Sequence, residues 1–233
     1  MIRIRPSAER GHADHGWLKA RFSFSFADYR DPAHVHFRKL RVLNDDVIAP
    51  GGGFGMHPHD NMEIVTYPIS GALAHEDSAG HRSVLAAGQV QRMSAGTGIF
   101  HSERNASSEH PLRLLQIWLF PAEKDTEPSY EEGEFLREEK LNRLCLIVSP
   151  EGEEGSLRIH QDARIHASIL EGGARVQHTL AEGRYVWLQV TRGRISLNDV
   201  ELAEGDGAAI SLETTLRIEG LDTESEFLFF DLA

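Results

Sequence analysis

The sequence predicts an all-β protein made of two antiparallel β-barrel domains. Three observations lead there: short strand-like runs, glycine-rich turns between them, and a faint internal repeat. The runs 37–42, 63–68, 113–120, 185–191 and 226–231 are rich in β-branched, aromatic and aliphatic residues and are bounded by turn formers, the pattern of sandwiches and barrels. Long helical periodicity is scarce, and the acidic stretch 130–143 has room for a helical turn or two. The continuous apolar run Phe227-Leu228-Phe229-Phe230 suits a strand covered on both faces.

The repeat has two copies. Tyr67-Pro68-Ile69-Ser70-Gly71 leads to Gly88, and Val190-Thr191-Arg192-Gly193 leads to Gly205. In each, a strand enters a glycine turn, returns, and reaches a second glycine turn, so two barrels of similar plan explain both. The Pro-, Glu- and Lys-rich composition of 121–140 can bury little and reads as a linker. The expected domains are therefore 1–130 and 131–233.

Composition narrows the function classes. The 233 residues are 40% hydrophobic and 26% charged, ordinary for a globular protein. A net charge of -12 repels phosphate backbones and no basic stripe is present, so direct nucleic-acid binding is not expected. The one cysteine, Cys145, sits in an apolar run and reads as buried filler; with no internal disulfide available, a reducing compartment fits. No apolar stretch has the length of a signal peptide or a membrane span, which makes cytoplasmic the default localisation, with no membrane partner.

Histidine stands out, with thirteen copies. In Gly51-Gly-Gly-Phe-Gly-Met-His57-Pro-His59-Asp-Asn-Met-Glu63, residues two apart on a strand share a face, so His57 and His59 project together and Glu63 shares their parity. Some forty residues later, Gly96-Thr-Gly98-Ile-Phe-His101-Ser-Glu103 offers an imidazole and a carboxylate at the same spacing. Two such strands meeting in a barrel would close a three-nitrogen, one-oxygen metal site with open positions. The preceding glycines permit tight turns and close backbone approach. His34-Val35-His36 has same-face spacing but no carboxylate or glycine approach, and reads as a partly exposed strand face. His75 and His81 flank a turn and read as solvated. His160, His166 and His178 form no pair, so no metal is expected in the second barrel.

The spacing Gly51-(five)-His57-x-His59-(three)-Glu63-(seven)-Gly71 resembles the first cupin motif with one extra residue. Gly88-(five)-Ser94-x-Gly96-(four)-His101-(three)-Asn105 resembles the second, with Ser94 where proline is usual and two extra residues before the histidine. Those departures, and the segments Ala74-His-Glu-Asp, Met93-Ser-Ala-Gly-Thr-Gly-Ile-Phe-His-Ser-Glu and His12-x-x-His15-Gly16-Trp17, are similar to the pirin family through most of 1–120. Over 140–233 the resemblance is looser and is mainly to pirins as bicupins with an empty second barrel.

The resemblance implies a bicupin of two jelly-roll barrels. It implies one divalent transition metal (Fe, Cu, Zn, Ni, Co or Mn) per chain, on His57, His59, His101 and Glu103. Ordinary cupins take the carboxylate from the first motif, here Glu63, which in the pirin arrangement becomes a partner orienting a histidine or an alternative ligand. The implied activity is opening of a flavonol such as quercetin at the 2,3 bond, with dioxygen as co-substrate, release of carbon monoxide and Glu103 as proton acceptor. The rival reading is a non-catalytic, metal- or redox-responsive pirin that binds protein partners. A cupin isomerase is a further alternative.

Overall fold

The computed structural model describes all 233 residues. Strand β1 (Ile2–Arg5) opens the chain. It is followed by β2 (Gly11–Asp14), β3 (Leu18–Phe22), β4 (Leu40–Ile48), β5 (Gly53–His59), β6 (Glu63–Ser70) and β7 (Ala72–Asp77). Then come β8 (Arg82–Ala86), β9 (Gln89–Ser94), β10 (Ile99–Asn105), β11 (Leu112–Leu119) and β12 (Ser129–Glu134). A single helical turn, α1 (Arg137–Lys140), precedes β13 (Cys145–Ser149), β14 (Leu157–Arg158), β15 (Ala163–Glu171), β16 (Arg175–Thr179) and β17 (Tyr185–Arg192). The chain ends with β18 (Ile195–Leu197), β19 (Val200–Leu202), β20 (Gly207–Ile210), β21 (Thr215–Gly220) and β22 (Glu224–Leu232).

The chain divides into two compact units. One comprises residues 11–134 with 157–161, the other 1–10, 135–156 and 162–233. The expected cut near 130 therefore misses two exchanges. β1 serves the C-terminal unit because it pairs with β20 and completes that sheet's edge, Ile2 opposite Ile210. Residues 157–161 serve the N-terminal unit, where the His160 backbone accepts from Ala122 N–H and donates to Glu63.

In the N-terminal unit one sheet runs β12-β9-β6-β11-β4-β3-β2 and the other β5-β10-β7-β8, with antiparallel pairing. Leu73 on the small sheet packs with Ile48, Leu112 and Leu114 on the large one, so the two faces share a core. The C-terminal unit repeats the order, with β20-β17-β22-β15 in one sheet and β16-β21-β18-β19 in the other. The repeated turns are thus real equivalents: Gly71 joins β6 to β7 and Gly193 joins β17 to β18, both with left-handed backbones.

Most predicted strands lie where expected. The strand expected at 37–42 instead spans Leu40–Ile48, because Arg38 takes a left-handed φ of 53° and Phe37 closes a tight turn onto Leu40. His34 and His36 accordingly sit in a loop, where His34 Nδ1 meets Asp31. The stretch 121–140 is more than a linker: β12 pairs with β9 across its full length. Phe227–Phe230 is a central strand, buried on both faces, with β15 and β17 as neighbours.

Candidate metal centre

β5 and β10 pair directly, which sets His57 opposite His101 and His59 opposite Ile99. The register shifts between His101 and Glu103, so Glu103 faces Phe54. On the other side of β10, His101 lies opposite Asp77 and Glu103 opposite His75. Gly53 makes this closeness possible: a Cβ there would stand 2.5 Å from Arg104 Cα and from the Glu103 carbonyl oxygen.

The three imidazoles converge. Ring centroids are 4.4 Å apart for His57 and His101, and 4.8 Å for His57–His59 and His59–His101. Donor nitrogens of all three lie within 4.8 Å of one another. His57 Nδ1 faces the Gly55 carbonyl at 2.8 Å, which leaves Nε2 free for another partner. His101 is fully buried and neither ring nitrogen has a hydrogen-bond partner. Burial, then the neighbouring imidazoles, pushes His101 down to about 2; burial and His57 take His59 to about 4. His59 and His101 are therefore neutral at neutral pH, each with an imidazole lone pair to offer.

Glu103 is buried and its carboxylate is held by neutral groups alone. Gln91 Nε2 donates to Oε1 at 2.9 Å, Gln116 Nε2 donates to Oε2 at 2.7 Å, and Thr66 Oγ1 lies 3.2 Å from Oε1. Burial raises the Glu103 pKa, partly offset by the His57 charge and these donors. Its carboxylate groups with His101 and with a residue absent from the sequence-derived set, His75. His75 was expected to be solvated. It is instead buried, with Nε2 3.5 Å from Asp77 Oδ2, its ring 5.4 Å from His101 and stacked on Tyr130 at 4.9 Å. Alternation along β7 turns it inward with Leu73 and Asp77, and the turn begins only after Asp77. His81 does remain partly solvated, stacked on the far side of Tyr130.

Glu63 stands elsewhere. A turn at 60–62 separates it from His59, so the strand parity does not carry over, and it opens β6. On that strand Thr66 faces Glu103, while Glu63 accepts from Ser94 Oγ at 2.7 Å and the His160 backbone at 3.3 Å. Ser94, the departure from the usual motif proline, is thus the partner of Glu63. Asn105 anchors the far end of β10, donating to the carbonyls of Ile48, Ala49 and His110. Sequence reading missed Thr66, Gln91 and Gln116; the available signal was an uncharged polar residue inside otherwise apolar strands.

In the C-terminal unit the equivalent strands carry Val176, Leu216, Ile218, Leu188 and Phe227, which form a hydrophobic core. His166 and His178, unpaired in sequence, approach to 6.0 Å there, and His178 also faces Asp231 at 3.3 Å.

Fold and site together define a bicupin: two barrels of one plan, one lined with imidazoles and a buried carboxylate, the other built mainly of apolar side chains. The Pirin family model matches residues 3–119, and the model described as the quercetinase C-terminal cupin domain matches 146–232. The chain belongs to the pirin family. It is 45% identical to the quercetin 2,3-dioxygenase of Escherichia coli K12, covering all of this chain and 99% of that one. It is 38% identical to the pirin-like protein of Caulobacter vibrioides, covering both in full. The crystal structure of Escherichia coli YhhW superposes with a TM-score of 0.96 at 45% identity, covering 100% of this chain and 98% of that one. The nickel(II) complex of bacterial pirin YhhW superposes with a TM-score of 0.94 at 45% identity, covering 100% and 99%.

Proposed function

We propose that this protein is a metal-dependent dioxygenase of the quercetin 2,3-dioxygenase type, with one divalent metal held by His57, His59, His101 and Glu103. The observation that carries the reading is three converging imidazoles, His57, His59 and His101, with a buried carboxylate, Glu103, beside His101, held by neutral donors and without a cation of its own. A buried anion is costly unless a positive charge compensates it. His101, with two unpartnered ring nitrogens, has the same need. A divalent ion answers both, and the nickel(II) complex of a relative 45% identical supports metal binding.

A bound metal would supply a Lewis acid that favours the anion of a coordinated phenol. The residues do the rest. Gln91 and Gln116 hold the Glu103 carboxylate in one orientation, with a lone pair free to accept a substrate hydroxyl proton. Phe54 beside His57 and Trp118 beside His59 form aromatic walls that exclude water and suit a flat substrate.

The test is turnover. Purified protein loaded with nickel, iron, copper, cobalt, manganese or zinc in turn is given quercetin, and dioxygen uptake and carbon monoxide are measured. Turnover with at least one ion, lost in His101→Ala, is the expected result. Full metal loading without turnover under any ion would refute the enzyme reading and favour a metal-responsive binding protein.

A further inference from the structure

A cleft opens beside the metal centre, within the N-terminal unit. The loop 25–35 faces Arg41 and Val42, with Met62 and Trp118 completing the lining. Its volume is about 780 Å³, in the ~300–1,000 Å³ range of small-molecule sites. The wall is aromatic and continuous with the centre: Phe26 meets Trp118 edge-on at 5.4 Å, and Trp118 meets His59 at 4.9 Å.

The same cleft carries two arginines without carboxylate partners. Arg41 Nη1 donates to the carbonyls of Ser25 at 2.7 Å and Val35 at 3.1 Å. Arg30 donates to the carbonyls of Ala27 and Tyr29. The one carboxylate in the lining, Asp31, is occupied by Tyr29, His34 and the Ala33 N–H. Burial, and then the charge of Arg30, lowers the Arg41 pKa. Two cationic side chains lining one partly apolar cleft favour an anionic ligand there.

We propose that this cleft binds an aromatic ring bearing an anionic oxygen, with Phe26 and Trp118 against the ring and Arg30 and Arg41 toward the anion. The proposal rests on the dioxygenase reading for its occupant. Two molecules of that reaction have the required chemistry. One is the phenolate ring of the substrate. The other is the product: dioxygen is reduced as its atoms enter at C2 and C4, the C2–C3 and C3–C4 bonds break, and C3 leaves as carbon monoxide. C2 then becomes an ester carbonyl and C4 a carboxylic acid that the flavonol lacks. A cation pair one aromatic ring away from the metal would receive that new carboxylate.

The test is calorimetric titration of the whole protein, nickel-loaded and metal-stripped, with 2,4,6-trihydroxybenzoate, with the uncharged ring 1,3,5-trihydroxybenzene, and with quercetin. The benzoate is expected to bind both forms. Arg30→Gln, and Val35→Glu at an exposed lining position, should each weaken it roughly three- to tenfold, with nickel content and binding of the uncharged ring unchanged. Competition between quercetin and the benzoate would identify the substrate ring as occupant; benzoate binding without competition would identify the product. No benzoate binding to either form, or binding indifferent to both substitutions, would overturn the proposal. Failure of the dioxygenase reading is separate: it appears as absent quercetin turnover while benzoate still binds.

Discussion

Replacing Glu103 with Gln isolates the charge of the site from its shape. The variant keeps the side-chain volume but presents an amide to two amide donors, Gln91 and Gln116. One donor–donor contact follows. Rotation of the Gln116 amide would relieve it, since Thr66 Oγ1, 3.1 Å from Gln116 Oε1, can accept as well as donate. The structural cost is then about 1 kcal/mol, and loss of a buried anion offsets it in the metal-free protein. With Glu103 as the proposed carboxylate ligand, the metal-bound protein loses its only anionic ligand. If affinity falls about a hundredfold, the stabilisation by a fixed excess of nickel falls by about 2.7 kcal/mol. At ~2–4 °C per kcal/mol for a chain of this size, the nickel-induced rise in Tm should shrink by roughly 5–10 °C. Thermal scans of wild type, Glu103→Gln and Glu63→Gln, each with and without nickel, measure this. The metal-free Tm of Glu103→Gln should stay near wild type, and Glu63→Gln should keep the full nickel response because its partners are Ser94 and His160. A full response in Glu103→Gln with a lost one in Glu63→Gln would refute the assignment of the carboxylate.

Three further outcomes are expected. Gly53→Ala should force β5 away from the backbone of β10 at Glu103 and Arg104, cost about 1–3 kcal/mol and release metal to a chelator faster; an unchanged release rate would show that the approach is not needed. His75→Phe keeps the stacking surface on Tyr130 but removes the ring nitrogens beside His101 and Asp77, and should lower nickel affinity roughly tenfold in a chelator competition; equal affinity would exclude His75 from the centre. In the C-terminal unit, burial and then His178 hold His166 down to about 4, so the folded state takes up its proton later than the unfolded chain, near ~6.5. The stability tied to neutral His166 is complete above that pH and is lost as pH falls toward about 4, at most about 3 kcal/mol. Urea midpoints of His166→Gln should therefore fall less between pH 7 and 4 than those of wild type, and identical slopes would contradict this.

Local chemistry made much of the molecule legible before folding was considered. Glycine turns and β-rich runs depend on residues near one another in the chain, so strands such as Glu63–Ser70 and Glu224–Leu232 stand out directly. His57, His59, His101 and Glu103 were legible for the same reason: each pair has two-residue spacing on one strand, behind glycines.

Tertiary structure alone decided which strand faces which. β10 lies between β5 and β7, and that pairing brings His75 to Glu103 across some thirty residues of sequence. The three donors around Glu103 come from β6, β9 and β11, no two of them adjacent in the chain. Glu63 was misplaced because strand parity holds only while the strand continues, and a turn intervenes after His59. The first strand pairs with β20, more than two hundred residues away. Periodicity reports which face a side chain takes on its own strand; what that face meets is set by sheet order, which non-local hydrogen bonding and burial determine.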